Sequence, residues 1–308
     1  MTATAPISAP ASATTPVADP GAVTAASATV AAAVAHLMPH PERPRPSSPL
    51  AAVVTLTRTS LLTFIREPIS LAMQFFYPLF MLGIFSAVFP DDIAPGVSYA
   101  EYLLPAMITT GILTTCLQHL TVIVATEREN GALRRLAGLP APAWVDVASK
   151  CASNTILALA NSAMLLLAAR YALGIELPTT ARSWVLLGAT GLLMIAACTA
   201  LGLAIGRLSP TARSAAGLIT PLVIMLQFVS GIFFPLSQLP DWMVSTFSVL
   251  PARWSAQLMR EALLPSTFAA AEPTGAWETA RGLVIVGAWL VAGIIAAIVI
   301  IRRDTVDR

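Results

Sequence analysis

The sequence predicts an all-α membrane protein with six transmembrane helices, an N-terminal interfacial amphipathic helix and short re-entrant helices before the last span. Three observations support this fold class. Of the 308 residues, 56% are hydrophobic and only 11% are charged, and the mean hydropathy is +0.76, which is typical of membrane proteins. Six long apolar segments are each able to cross a hydrocarbon core of about 30 Å. The basic residues are also distributed unequally between the two sides that these spans define.

Residues 1–49 form a tail rich in Ala, Thr, Ser and Pro, with almost no large apolar side chain. Such a composition cannot build a core, so a disordered cytoplasmic tail is expected. The tail lacks the basic start and apolar block of a signal peptide. Residues 50–308 are therefore expected to hold the whole transmembrane domain.

The first ordered segment is predicted at Leu50–Arg66. Its apolar residues recur at helical spacing, while Arg58 and Arg66 lie largely on the other side. The segment is too short and too polar to span, which favours a helix lying in the cytoplasmic interface. The alternative is that it is simply the flanking start of the first span. Pro68 is expected to end this helix.

Six spans follow, and each is long enough to cross the membrane as a helix. Their predicted bounds are about 69–89, 102–125, 150–173, 184–206, 214–234 and 281–301. The loops between them are short, except for residues 235–280. Within that loop, apolar residues at helical spacing predict short helices that dip into or lie on the outer face, with Trp242 and Trp254 in the headgroup layer.

The distribution of basic residues predicts the orientation. With the N-terminus inside, 13 of the 18 Lys and Arg residues lie on the inner side and 5 on the outer side. This bias follows the positive-inside rule. An even number of spans also brings both termini into the cytoplasm. We therefore expect a multi-pass protein of the plasma (inner) membrane.

The sequence offers no constellation for catalysis. The three cysteines are isolated, His36 and His40 lie in the tail, where plain solvent exposure is expected, and the spans hold essentially no central Asp or Glu. A phosphate-binding P-loop is excluded, because the single lysine, Lys150, lies in the context VASKC. No cofactor is expected on this chain, and a net charge of +2 does not indicate nucleic acid as a partner.

Polar side chains recur inside the spans. At helical spacing, the second span is expected to present one polar face, and the third span another. These residues are candidates for lining the path of an amphiphilic substrate, or else for hydrogen bonds that join helices. They are Thr110, Thr114, Gln118 and Thr121 in the second span, Asn154 and Asn161 in the third, and Gln227 and Ser230 in the fifth. Gly202 and Gly206 form a small-xxx-small pair, which we assign to packing.

A dense charged stretch, ERENGALRRL at residues 127–136, lies between the second and third spans. Glu127 and Glu129 come before Arg134 and Arg135, so the charges would match the dipole of a short helix. Leu133 and Leu136 give that helix a small apolar face, and Pro140 and Pro142 would end it before Trp144. Such a helix is suited to docking a cytoplasmic partner. The alternative is a solvated positive-inside loop.

This stretch, with Pro140 and Trp144, resembles the Glu-Arg-Glu-x-Gly coupling segment of the type-2 ATP-binding-cassette exporter permeases, especially the branch similar to daunorubicin-resistance permeases. A second stretch, SGIFFPLSQLP at residues 230–240, followed by Pro251 and Arg260-Glu261-Ala262, resembles that family's outer re-entrant region after the fifth span. The amphipathic start and the six-span layout are also similar, so the resemblance covers about residues 50–308.

The resemblance implies the permease subunit of an efflux system, with drug transport or antibiotic resistance as the expected physiology. Two permeases, identical or paired with a sister chain, would bind two cytoplasmic ATPase subunits that hold the ATP and Mg. Residues 127–140 would form the coupling helix, which would sit in a cleft of the ATPase. ATP-driven closure of the ATPase dimer would be transmitted to the spans, which lie among membrane lipids, and a drug-like or lipid-like substrate would move outward. The ATPase-coupling residues would be Glu127, Arg128, Glu129, Gly131, Leu133, Arg134, Arg135 and Leu136.

Two other interpretations remain open from the sequence. A permease of the same architecture could export a polysaccharide or a lipid-linked glycan. The low aromatic content, 7% of residues, disfavours this, because such carriers line their path with aromatic side chains. A non-transporting membrane scaffold is the rival from another class.

Overall fold

The computed structural model describes residues 48–89, 92–132, 135, 142, 144–233, 235–236 and 240–306. They belong to a compact unit that spans Ser47–Arg308. Of the predicted disordered tail, residues 1–49, only the last two residues are among those that the structure describes. Those two begin the first helix: the Ser48 side chain accepts a hydrogen bond from the backbone N–H of Ala51 at 3.3 Å, and Pro49 occupies the first turn.

The described fold is helical apart from one small hairpin. Ten α-helices are α1 (Pro49–Arg66), α2 (Pro68–Val88), α3 (Tyr99–Ile112), α4 (Leu120–Glu129), α5 (Trp144–Ala172), α6 (Ala181–Leu208), α7 (Ala212–Val229), α8 (Asp241–Phe247), α9 (Pro251–Leu263) and α10 (Thr279–Val306). A π-helix, Leu113–His119, joins α3 to α4, and a 3₁₀-helix covers Ser266–Ala271. Strands β1 (Asp92–Ala94) and β2 (Val97–Ser98) pair antiparallel around Gly96.

Six of these segments are long and apolar enough to cross a membrane, which confirms the predicted all-α membrane protein with six spans. The segments are Pro68–Val88, Tyr99–Glu129, Trp144–Ala172, Ala181–Leu208, Ala212–Val229 and Thr279–Arg303. The second is continuous through the π-helix. It begins earlier than predicted because Ser98 and Glu101 form a capping box, with Ser98 N–H donating to Glu101 Oε2 at 2.8 Å.

The fifth span is shorter than predicted. Helix α7 ends at Val229 rather than at residue 234, and Gly231 reverses the chain with a φ of +72°. A Cβ built at Gly231 would lie 2.7 Å from Leu236 Cγ, so the turn requires glycine for space as well as for backbone conformation. Ser230 is consequently the C-cap of α7 and not a residue of its helical face.

Helix α9 lies among the spans, in contact with α3, α6 and α10. Ala252, Trp254, Ala256 and Met259 are fully buried. The short helices α8 and α9 occur where the sequence predicted them, but the predicted headgroup position of Trp254 is wrong. Its indole N–H donates to the Ser248 carbonyl at 2.6 Å inside the bundle, whereas Trp242 is exposed.

A buried ion pair anchors the C-terminal end of α9. Arg260 Nε lies 2.7 Å from Glu272 Oε1, and Arg260 Nη1 donates to the Gly231 carbonyl at 3.2 Å. The Tyr102 hydroxyl donates to the same carbonyl at 2.7 Å. These contacts connect α9 to the start of α3 and to the turn after α7, which fixes one end of the bundle.

Candidate functional site

The acidic residues of the charged stretch belong to the end of the second span. Glu127 and Glu129 lie in the last turn of α4, which Asn130 caps and Gly131 terminates with a φ of +67°. The predicted placement of these acids in the first turn of a separate helix is therefore wrong, although Ala132 and Arg135 are helical and the Arg135 N–H donates to the Gly131 carbonyl at 3.1 Å. Four residues that carry no helix-breaking signal, 126–129, simply continue the preceding helix. Because a helix C-terminus disfavours negative charge, the carboxylates need partners from other elements.

Lys150 is the main partner of Glu127. Its Nζ lies 3.0 Å from Glu127 Oε2 and also forms an ion pair with Asp146, one turn earlier on α5. Only 8% of the Lys150 side chain is exposed. Arg207, near the end of α6, extends the set, with its Nη2 lying 3.4 Å from Asp146 Oδ2. The ends of α4, α5 and α6 are thus joined by alternating charges.

The two residues after Glu127 also contact other helices. The Arg128 guanidinium donates to the Arg207 carbonyl, and Glu129 Oε2 accepts a hydrogen bond from the Ala212 N–H at 2.8 Å. Ala212 is the first residue of α7, where a helix favours negative charge. We call Glu127, Arg128, Glu129, Asp146, Lys150 and Arg207 the charge network. It links four spans at one end of the bundle.

Three members of the charge network were not predicted as site residues: Asp146, Lys150 and Arg207. A signal was present, because Asp146 and Lys150 have the i, i+4 spacing that places opposite charges together on a helix. Arg207 carried no comparable local signal, since its partners come from distant parts of the chain.

The other predicted coupling residues have different surroundings. Gly131 follows the α4 cap, and Arg135 is exposed, with its Nη2 donating to the Asn130 carbonyl at 3.1 Å. Leu133, Arg134, Leu136 and Pro140 lie outside the described residues. Among the described residues, Arg128, Glu129 and Asn130 form an exposed tip directly attached to the charge network.

A second feature is a cavity of about 490 Å³ between α2, the π-helix with the start of α4, and α7. We call it the polar cavity. Part of its wall is apolar and is formed by Met73, Val122, Ala216 and Ile224. Its polar residues are Ser70, Gln74, Tyr77, Thr114, Gln118, His119, Thr220 and Gln227. Along α7 it extends from Ala216 to Gln227, which is about 16 Å at the helical rise.

Hydrogen bonds across the polar cavity join its three walls. Gln118 Nε2 donates to Thr220 Oγ1 at 3.1 Å, and the Tyr77 hydroxyl donates to Gln227 Oε1 at 3.5 Å. The Gln74 amide donates to the Thr115 hydroxyl. His119 packs against the edge of Phe64 in α1, with ring centroids 5.3 Å apart.

The structure brings three of the eight predicted path residues together at the polar cavity: Thr114, Gln118 and Gln227. Of the expected polar face of the second span, Thr114 and Gln118 line the polar cavity, whereas Thr110 and Thr121 do not. The π-helix changes the angular spacing of side chains between Leu113 and His119, so a stripe drawn at 3.6 residues per turn does not continue straight. Thr110 is fully buried, and the Thr121 hydroxyl donates to the Leu117 carbonyl at 2.6 Å.

The remaining predicted path residues are buried outside the cavity. Asn161 Nδ2 donates to the Gln74 carbonyl at 3.0 Å, so Asn161 joins α5 to α2. Asn154 and Ser230 are also buried. Conversely, Gln74, Tyr77 and Thr220 line the cavity although they were not among the predicted path residues. The i, i+3 spacing of Gln74 and Tyr77, and the i, i+7 spacing of Thr220 and Gln227, were the available signals.

Comparison with known proteins relates this chain to one described family. The chain matches the family described as ABC-2 type transporter over residues 51–264. The matched range runs from α1 to the end of α9 and includes both the charge network and the polar cavity. A search of the curated proteins finds none that matches the chain.

Proposed function

The chain belongs to the ABC-2 type transporter family, and on that premise we propose that it is the permease through which an ATP-driven exporter moves hydrophobic or amphiphilic compounds, drug-like or lipid-like, out across the plasma membrane. As a member of this family it is a multi-pass permease subunit of an ABC transporter, and the family implies a partner ATPase subunit. In the proposed assembly, two ATPase subunits hold the ATP and Mg, and a second permease, identical or a sister chain, completes the complex.

The observation that carries the proposal is the charge network. Arg128 and Glu129 of the exposed tip contact α6 and α7, and the adjacent Glu127 contacts α5. An ATPase that docks on residues 127–140 and moves this segment would therefore displace the ends of four spans together. A solvated loop would not need ion pairs with the buried Lys150 side chain.

The polar cavity supports the part of the proposal that concerns the substrate, a hydrophobic or amphiphilic compound. It lies beside α2 and α7, which carry many exposed apolar side chains, among them Phe76, Phe80, Leu218 and Phe228. An amphiphile entering from the hydrocarbon would meet an apolar surface first and hydrogen-bonding groups inside, as ligand cavities commonly provide. Thr114, Gln118 and Gln227 are the path residues in this proposal. Thr110, Thr121, Asn154, Asn161 and Ser230 are assigned to helix packing instead.

The experiment is a mild-detergent pull-down of the tagged full chain, followed by ATPase and transport assays on the recovered complex. We expect a soluble ATPase with a phosphate-binding loop to be recovered. Replacing Glu127 and Glu129 by Gln should reduce substrate-stimulated ATP turnover and export by about tenfold or more. The matched control is Arg281→Gln in α10, which breaks an exposed ion pair with Glu278 and is remote in sequence from the charge network. Full activity of the Glu127/Glu129 variant would refute coupling through this segment.

A further inference from the structure

The polar cavity contains hydrogen-bonding groups but no fixed charge. None of its described lining residues is Asp, Glu, Lys or Arg. The nearest carboxylate with a contact to the lining is Glu67, which precedes α2 and accepts a hydrogen bond from the Ser70 hydroxyl at 3.2 Å. Glu67 is exposed, so it does not supply a buried counter-charge. A cation inside the cavity would therefore find no buried counter-charge, and unpaired charge is strongly disfavoured within a bilayer.

The three glutamines each use one end of the amide for a contact within the protein. Gln74 and Gln118 donate through Nε2, which leaves their Oε1 atoms as acceptors. Gln227 accepts through Oε1, which leaves its Nε2 as a donor. Within the described part of the chain, these three atoms have no hydrogen-bond partner. The three glutamines come from α2, the π-helix and α7, so they line the cavity from three sides.

We propose that the polar cavity selects uncharged amphiphiles that carry both hydrogen-bond donors and acceptors, and that it discriminates against permanent cations. The proposal depends on the proposed function only in assigning the cavity to the substrate path. The Gln74 and Gln118 oxygens would accept from hydroxyl or N–H groups of the ligand, and the Gln227 amide would donate to a carbonyl or ether oxygen. The apolar wall, including Met73 and Ile224, would hold the hydrocarbon part.

Three fluorescent probes with one dansyl group and one decyl chain test the proposal. They end in a di(ethylene glycol) hydroxyl, in a quaternary ammonium group or in a methyl group. Each is titrated into the purified full chain in lipid nanodiscs, and the dissociation constant is read from the fluorescence change. We expect the glycol-ended probe to bind about tenfold more tightly than either of the other two, because only it pairs with the amide groups without an uncompensated charge.

Two variants then place a carboxylate in the cavity at different helices. Gln118→Glu and Gln227→Glu should each reverse the preference, so that the ammonium probe binds more tightly than the glycol probe by about tenfold. Two positions are used because one of the variants could fail to fold, which size-exclusion chromatography and the tryptophan emission spectrum would reveal. The matched control is Glu67→Gln at the rim, which should leave the order of the three probes unchanged.

Equal binding of the ammonium and glycol probes to the unaltered chain would overturn the proposal, as would binding of none of them. Retention of the neutral preference in both folded carboxylate variants would also overturn it. These measurements need no ATPase, so they are separate from the proposed function. If the selectivity is found and the reconstituted complex shows no ATP-dependent transport, the exporter proposal fails while the selectivity of the cavity stands.

Discussion

Lys150 holds the charge network together, because one ammonium group faces carboxylates on two helices. It is the only lysine in the chain, and its hydrocarbon stem and charged end are largely buried. Removing its charge leaves Asp146 with Arg207 as partner but takes from Glu127 its only ion pair among the described residues. Lys150 is therefore a positioning residue for the end of the second span.

A double-mutant cycle measures this contact. We expect Lys150→Met to lower the free energy of unfolding by about 1–3 kcal/mol, since it leaves a half-buried carboxylate without its partner. Glu127→Gln should cost less, and the double variant should cost less than the sum of the two single ones. The measurement is thermal unfolding of the full chain in detergent. Strict additivity of the two changes would show that the ion pair contributes nothing to stability.

Arg260 illustrates the same physics at greater depth. Its side chain is 1% exposed, and that of its partner Glu272 is 4% exposed. Burial by itself lowers the pKa of Arg260, but the charge and hydrogen bond of the Glu272 carboxylate, together with the nearby Tyr102, raise that pKa above its usual value, so the guanidinium stays charged. The Arg260 guanidinium carbon also lies 5.5 Å from the centroid of the Tyr102 ring, and this cation–π contact further favours the charged form.

Arg260 and Arg281 form a matched pair for a prediction. Arg260→Gln would leave Glu272 as an unpaired buried charge and should cost about 3–5 kcal/mol of folding free energy. Arg281→Gln breaks a 2.9 Å ion pair whose arginine side chain is 60% exposed, so it should cost about 0–1 kcal/mol. Both are read as shifts of the unfolding midpoint. Similar shifts for the two variants would mean that losing the buried ion pair costs no more folding free energy than losing the exposed one.

At the scale of helices, the small-xxx-small pair of α6 has the packing role that the sequence predicted. A Cβ at Gly202 would lie 2.7 Å from the Cys116 carbonyl oxygen, and a Cβ at Gly206 would lie 2.7 Å from that of Thr121. The backbone of α6 thus lies directly against the π-helix and α4. Close approach of this kind is typical of small residues between membrane helices.

Gly202 and Gly188 lie on the same helix, but alanine substitutions at the two positions should change the stability of the protein in opposite directions. Gly202→Ala should destabilise the protein by about 1–3 kcal/mol, because its methyl group would overlap a backbone carbonyl that cannot move freely. Gly188 has open space around it, so Gly188→Ala should stabilise the protein by about 0.4–1 kcal/mol, because alanine lowers the backbone entropy of the unfolded chain. Unfolding midpoints of the two variants decide this, and a stabilising effect at Gly202 would contradict the close packing.

The elements themselves could largely be predicted from hydropathy, and the errors have local causes. The π-helix has no signature in the residues Leu113–His119, so the polar face of the second span was drawn with the wrong period. The end of α7 at Val229 follows from Gly231, but apolar residues continue to 234 and hide that end. To predict the charge network, one would have to know which ends of the spans lie next to one another. Only its i, i+4 pair, Asp146 and Lys150, could have been predicted from spacing.

At the scale of the whole molecule, orientation is the quantity on which the proposed function depends. The charge network can meet a cytoplasmic ATPase only if the ends of α4 and α5 face the cytoplasm. In the described residues, Arg128, Lys150, Arg207 and Arg213 lie at or near this end of the bundle, while Arg182, Arg253 and Arg260 lie in or near the connections at the opposite ends of the spans. The excess of basic residues on the first side predicts that it stays inside.

Reporter fusions test the orientation directly. Six spans place both termini on one side of the membrane, so a fusion at residue 1 and a fusion at residue 308 should both report a cytoplasmic position. A third fusion after Leu177, between α5 and α6, should report an external position and serves as the control for correct insertion. A cytoplasmic N-terminus with an external C-terminus would remove one span from the membrane. The opposite result at all three positions would place the charge network outside the cell, out of reach of any ATPase that uses cytoplasmic ATP.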